Sequence, residues 1–285
     1  MMKSDILHWH NDDLPVVTKR SRVADKYSTL FNYMTLFSTG MKGKWGRVYI
    51  DLYAGSGCVQ SDSTGKVFKG SALLALSVQH PFDSYIFSEE NPNLLSALKA
   101  RTTKHFSTSN CTFIQGDCNA VLNSVVSAIP KEINGKRVLV LCVVDPDALV
   151  LKFQTIQALA SIARIDFIVL MALMMDANRW WKLYLEPSNT KIEDFLGVAN
   201  WRPQWNVFRQ KDDSPARFLT IEFESQMASI GYQVGTEITP KKEVRSIEKN
   251  LPLYHLAFFS KHARGIDLWK KGLKYSSDQT SMDFK

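Results

Sequence analysis

Cysteine is scarce in this chain: four residues among 285, at Cys58, Cys111, Cys118 and Cys142. None stands in Cys-x-x-Cys spacing or near a histidine at metal-site spacing. That excludes a zinc ribbon and a disulfide scaffold, and it predicts a reducing, cytoplasmic setting with no metal site. The pair His8 and His10 has no third ligand nearby. Long apolar runs are missing as well. The longest, residues 167–175, is about half the ~20 residues that a spanning helix needs. The N-terminal Met-Met-Lys-Ser-Asp is no apolar signal region, so no membrane association is expected. There is no internal repeat and no low-complexity segment. Two phosphate-cradling motifs are absent, the Gly-x-Gly-x-x-Gly of dinucleotide enzymes and the Gly-x-x-x-x-Gly-Lys-Ser/Thr loop.

What is present is a core-forming composition, 45% hydrophobic, in a length that suits one large α/β domain or a domain with an appendage. Lysine and arginine number 35 against 28 acidic residues, a net charge of +7. This balance points to an anionic partner, nucleic acid first, although a merely solvated basic face has the same composition. The positive charge gathers late, at Lys241, Lys242, Arg245 and Lys249, then at Lys261, Arg264, Lys270, Lys271 and Lys274.

Periodicity alternates along the chain. Helical spacing over 23–39 precedes a strand at 48–52. A polar loop is expected at 61–69, then a helix from Gly70 with Ser71 as its cap. Strands at 84–88, 112–115, 138–144 and 167–171 alternate with helices at 93–103, 119–129 and 153–163. The all-apolar run 138–144 is the signature of a central parallel strand, buried on both faces. Between 176 and 213 the pattern breaks, with Trp180, Trp181, Trp201 and Trp205 among polar residues. A helix at 216–230, strands at 232–239 and 253–260 and a helix at 266–273 follow. The expected fold is α/β, a doubly wound, Rossmann-like, mostly parallel sheet with an N-terminal helix and a helical insertion. Its expected parts are an N-terminal segment 1–45, a ligand-binding core 46–175, a Trp-rich insertion 176–215 and a C-terminal completion of the sheet, 216–285.

The informative motif is Asp51-Leu-Tyr53-Ala54-Gly55-Ser56-Gly57, a glycine turn at the end of the first core strand. Glycine there admits close backbone approach and dihedrals that a Cβ forbids. The next strands also end in polar residues: Glu89, then Asp117 with Cys118 and Asn119, then Asp145-Pro146. In a doubly wound sheet these ends converge on one crevice. The set suits S-adenosylmethionine. The turn would lie against the amino-acid and ribose portion, Glu89 would accept the ribose hydroxyls, and Asp117, Cys118 and Asn119 would read the adenine edge. Asp145 and Pro146 would face the methyl acceptor. Each residue also has a plain structural reading, Asp117 as a helix cap and Asp145-Pro146 as a turn.

In this order the chain resembles class I S-adenosylmethionine-dependent methyltransferases, and more closely the three-Cys-motif partner family. The resemblance covers most of the length. It is carried by Lys26, residues 49–57, 70–76 and 81–87, Gly116-Asp117 with Asn119, Asp145-Pro146 with residues 153–156, Asp176-Ala-Asn-Arg179, and Tyr254-His-Leu-Ala-Phe-Phe-Ser-Lys-His262. It implies a methyltransferase-like fold, S-adenosylmethionine as cofactor and, for that family, a separate protein with three cysteines in a radical-S-adenosylmethionine-like pattern as partner. At Asp145-Pro146-Asp147-Ala148 the chain departs from the Asp/Asn-Pro-Pro-Tyr/Phe of amino methyltransferases acting on DNA bases, whose aromatic ring stacks on the flipped base. Trp180 or Trp181 is an alternative stacking surface. Three readings follow: a methyltransferase acting on nucleic acid, a non-catalytic partner subunit, or a small-molecule methyltransferase.

Overall fold

The computed structural model describes residues 7–19, 23–171, 173–245 and 252–280. It begins with a short strand β1 (Val17–Lys19) and a long helix α1 (Val23–Met41). Strand β2 (Gly46–Asp51) follows, then a hairpin of β3 (Cys58–Ser61) and β4 (Val67–Lys69). Helix α2 (Ser71–Leu76) leads to β5 (Ser84–Glu89), α3 (Pro92–His105), β6 (Cys111–Gln115) and α4 (Leu122–Ala128). The two-residue β7 (Glu132–Ile133) precedes β8 (Lys136–Val144), α5 (Phe153–Ile162) and β9 (Arg164–Met171). Helices α6 (Leu173–Tyr184), α7 (Lys191–Leu196), α8 (Trp201–Phe208) and α9 (Pro215–Ser229) come next. Strands β10 (Lys242–Arg245) and β11 (Pro252–Phe259) and helix α10 (Ala263–Thr280) complete it.

The main sheet has the order β10-β11-β9-β8-β2-β5-β6. The run from β9 to β6 is parallel, and β11 enters antiparallel against β9. This is a doubly wound, mostly parallel, Rossmann-like sheet, with its order reversing between β2 and β8. Side chains alternate across it. Val48, Ile50, Val140 and Cys142 pack on one face with α4 to α9. Tyr49, Leu141 and Val143 pack on the other with α1, α2 and α10. Full burial of an aliphatic side chain is worth roughly 1.5–3 kcal/mol. A strand such as β8, covered on both faces, therefore selects an unbroken apolar sequence rather than an alternating one.

Three expectations are corrected. The segment 61–69 is no plain loop. Residues 58–69 form a hairpin, with Val59 and Phe68 buried, and β1 adds to it in parallel. The turn residues Ser61-Asp62-Ser63-Thr64-Gly65 interrupt an alternation too short to read on either side. Ser71 is not the cap of α2; that position belongs to Gly70, and no side chain caps it. The strand expected at 232–239 shrinks to a single bridge between Gln233 and Ser260. Gly231 and Gly235 take positive φ, and Thr239 donates back to the Gly235 carbonyl in a helical turn. The outer strand forms instead at β10.

The tryptophan-rich region is a helical layer. Trp181, Trp201 and Trp205 are buried together, with Trp181 edge-on to Trp205 at 4.8 Å between centroids. Trp180 faces outward, about half exposed. Among the described residues no helix is long and apolar enough to cross a membrane.

Candidate functional site

Strand β2 delivers the chain to the glycine turn, and residues distant in sequence fix that turn. Ala54 donates to the Ser88 carbonyl at 2.9 Å, and Gly70 donates to the Gly57 carbonyl at 2.6 Å. Gly55 and Gly57 have φ of +58° and +80°, a region that L side chains rarely enter. At Gly57 a Cβ would stand 2.7 Å from Leu98 and 2.9 Å from Leu73, whereas nothing lies within 4 Å of one built on Gly55. The Glu89 carboxylate reaches back across the turn. One oxygen accepts the Gly55 N–H at 2.8 Å and the other the Asn91 N–H at 2.9 Å.

These elements surround a cavity of about 430 Å³ at the carboxyl ends of the parallel strands. Its walls include Tyr53, Ala54, Gly55, Ser56, Gly57, Glu89, Asp117, Cys118 and Asp145. Three other sequence-selected residues stand behind the wall. Asp51 is fully buried and accepts from the Tyr49 hydroxyl at 3.1 Å and the Tyr53 N–H at 3.3 Å. Burial pushes its pKa up to about 7, against a hydrogen bond from Ser71 that pulls it down, and nearby Asp145 adds to the rise. Asn119 spends its amide on structure. It donates to Asp117 and to the Val150 carbonyl, and it accepts from Lys152 N–H and the Thr155 hydroxyl. Asn119 thus ties the end of β6 to the loop after β8. Pro146 is not among the lining residues. Asp117 both lines the cavity and holds the turn into α4, accepting from the Asn119 N–H at 3.1 Å. The Cys118 thiol is pushed up to about 11, chiefly by burial, and is neutral at pH 7.

At the end of β8 the chemistry changes. Lys26 of α1 donates to Asp145 at 2.7 Å, with both side chains nearly out of solvent. The ammonium lies 4.5 Å from the Tyr27 ring centroid and 5.9 Å from that of Tyr254. Burial works to lower the Lys26 pKa, but Asp145, with Tyr27 and Tyr254, overrides it and the net shift is upward. Lys26 is therefore a fixed cation. Beyond it, Lys19 of β1 pairs with Asp147. Asp176 accepts from the Leu149 N–H at 2.8 Å and from the Tyr184 hydroxyl, which anchors the loop after β8 to α6.

Among the described residues the walls carry five acidic side chains, Glu89, Glu90, Asp117, Asp145 and Asp147, against one basic side chain, Lys19. The interior therefore favours a ligand with cationic character and disfavours phosphate. The described residues of the late basic cluster line no part of the cavity; Lys249 lies outside the described residues. Lys241 pairs with Glu224 and Arg245 with Glu243. Trp181 is packed in the tryptophan layer, and Trp180 is exposed with the Arg179 guanidinium over its ring. Neither lines the cavity. Sequence reasoning did not select Val17, Lys19, Tyr27 or Val59 as site residues, and all four are in the wall. They come from the N-terminal segment, α1 and the hairpin, and no motif in the sequence includes them.

No family model and no curated protein sequence matches the chain. Solved structures do. Protein LPL1258 from Legionella pneumophila superposes with a TM-score of 0.51 at 12% identity, over 90% of this chain and 92% of that one. Precorrin-6y C5,15-methyltransferase from Geobacter metallireducens gives 0.46 at 10% identity, over 90% and 98%. The O-methyltransferase TomG from Streptomyces achromogenes, in complex with SAM, gives 0.46 at 10%, over 91% and 94%. At such identities the likeness is one of fold, and the Legionella protein alone of these three overlaps closely enough to carry it.

Proposed function

We propose that this protein binds S-adenosylmethionine and transfers its methyl group, with nucleic acid as the acceptor. One observation carries the cofactor half: the glycine turn, Glu89, Asp117 and Asp145 arise from four separate strand ends and line a single cavity. Its volume of about 430 Å³ falls in the range of roughly 300–1,000 Å³ for one drug-sized ligand. The acidic walls suit a sulfonium and an amino group. Glu89 keeps a lone pair on each oxygen beyond its backbone bonds, enough to accept two ribose hydroxyls.

Held by the glycine turn, Glu89 and Asp117, the cofactor would supply an electrophilic methyl carbon to an acceptor lone pair, its sulfur keeping the electron pair of the carbon–sulfur bond. The chain's own part is alignment. Asp145, held by Lys26 through one oxygen, offers the other oxygen to an acceptor N–H. Support for a nucleic-acid acceptor is the net charge of +7, carried outside a cavity whose own walls are acidic. Phosphate contacts would then fall on the outer surface.

Calorimetric titration with S-adenosylmethionine and S-adenosylhomocysteine tests the cofactor. Binding should be seen and should weaken at least tenfold in Glu89→Ala; no heat with either ligand would end this reading. Titration of labelled DNA and RNA against salt tests the acceptor class, since phosphate contacts give a steep negative slope. A flat slope would leave small molecules as acceptors.

A second reading has a specific observation behind it. Asp145 is already paired to Lys26, and Ala148 lines the wall near the place of the stacking aromatic. A cofactor-binding but non-catalytic subunit, partner to a three-cysteine protein of the kind the sequence resemblance implies, has the same features. Methyl transfer by the isolated chain to any nucleic acid would remove it.

A further inference from the structure

The α3 residue Arg101 is fully buried and is absent from every motif above. A guanidinium has five N–H donors, and here each one has an acceptor. Nε and one Nη2 N–H go to the two Asp12 oxygens at 2.8 and 2.6 Å. The other Nη2 N–H goes to the Leu14 carbonyl at 3.1 Å. The Nη1 pair goes to the Pro15 carbonyl at 3.0 Å and the Ser56 carbonyl at 2.7 Å. Ser56 is the middle residue of the glycine turn. One side chain thus joins the turn to the N-terminal segment. That segment is held on its other side too: Trp9 donates from its indole to Asp12 at 2.9 Å and from its backbone to Val67 at 3.0 Å. Beyond Pro15 it becomes β1, whose Val17 and Lys19 line the cavity.

We propose that Arg101 is a positioning residue for the cofactor turn, and that through it residues 12–19 form a wall that orders together with bound cofactor. The proposal rests on the cofactor reading above. Burying a guanidinium is costly unless a bidentate carboxylate and further acceptors satisfy it. The three carbonyls it takes from Leu14, Pro15 and Ser56 are those that lock the N-terminal segment and the turn into one rigid unit. A ligand in the cavity touches both parts, so fixing one favours the other, and the coupling is reciprocal.

The test uses the full chain and S-adenosylhomocysteine. Asp12→Asn keeps the shape but removes the charge that holds the fork. It should weaken binding about tenfold or more. Ile192→Val, a buried change in α7 away from the cavity, should lower the melting temperature and leave affinity alone. Arg101→Lys, which offers no planar fork, should weaken binding more than Asp12→Asn. In the unaltered chain, amides of residues 9–19 should exchange more slowly with ligand bound. Binding by Asp12→Asn within twofold of the unaltered chain overturns the proposal, as does equal exchange of 9–19 with and without ligand. Failure of the unaltered chain to bind overturns the cofactor reading and this proposal together.

Discussion

Lys26 and Asp145 form an ion pair 2.7 Å long, from α1 to the end of β8, with side chains only 5% and 12% exposed. Such a pair is costly to break from one side, because the remaining charge stays buried. Lys26→Met should lower folding stability by about 3 kcal/mol. Adding Asp145→Asn should restore a large part of it. Urea denaturation of both single variants and the double variant gives the coupling directly. A coupling energy below about 0.5 kcal/mol would mean that the two groups do not act as a pair.

The two turn glycines have similar backbone conformations and different surroundings, so their alanine variants should part ways. At Gly57 the new methyl meets Leu98 and Leu73. Strain and overpacking together should cost several kcal/mol. At Gly55 there is open space, so only the left-handed conformation is penalised, at roughly 1–2 kcal/mol. Gly55→Ala should therefore fold. Because Gly55 lines the cavity, it should bind S-adenosylhomocysteine at least tenfold more weakly. Equal destabilisation by both substitutions, measured by thermal melts, would contradict this division of roles.

Much of this architecture is legible in the sequence, for physical reasons. The alternation of 138–144 with amphipathic helices gives the parallel sheet, because a doubly covered strand has to be apolar throughout. The polar residues that end β2, β5, β6 and β8 give the position of the cavity. What is not legible comes from contacts distant in sequence. Arg101 lies 45 residues from Ser56 and 89 from Asp12, and nothing in α3 marks it as a clamp. Strand β1 has three residues and exists only because β3 is there to pair with it. The misplaced edge strand near 232–239 shows the converse. Its composition suits a strand, and Gly231 and Gly235 turn it away.

The sequence marks Asn119 as a candidate for the adenine edge, yet its amide is committed to Asp117, Val150, Lys152 and Thr155. Its replacement should act first on the fold. Asn119→Ala should destabilise by about 1–3 kcal/mol and speed hydrogen exchange in residues 149–153. Asp117→Asn keeps the shape and removes a charge from the cavity wall, so it should weaken cofactor binding more than it weakens folding. Calorimetry and denaturation on both variants decide the matter. The opposite ranking would make Asn119 the ligand contact.

Asp166 gives a pH dependence with a definite sign. It is buried on β9, accepts from the Tyr33 hydroxyl of α1 at 3.4 Å and faces Ser260 and Gly265 at the start of α10. Burial pushes its pKa up to about 7, opposed by hydrogen bonds from Ser260 and Tyr33. The folded state thus keeps a proton that the unfolded chain releases near pH 4. Between about pH 4 and pH 7 the folded chain binds more protons than the unfolded one, so stability falls as pH rises through that window. Asp51, also raised to about 7, has the same sign. Asp12 has the opposite one. The Arg101 fork, working against burial, holds it well below the usual carboxylate range, so its contribution is lost only as pH falls below about 4. Asp166→Asn removes the charge without changing the shape. Its guanidinium midpoint should exceed that of the unaltered chain at pH 8 and approach it at pH 5. The gain at pH 8 should be on the order of a few kcal/mol. Equal midpoint differences at the two pH values would show that Asp166 does not titrate between them.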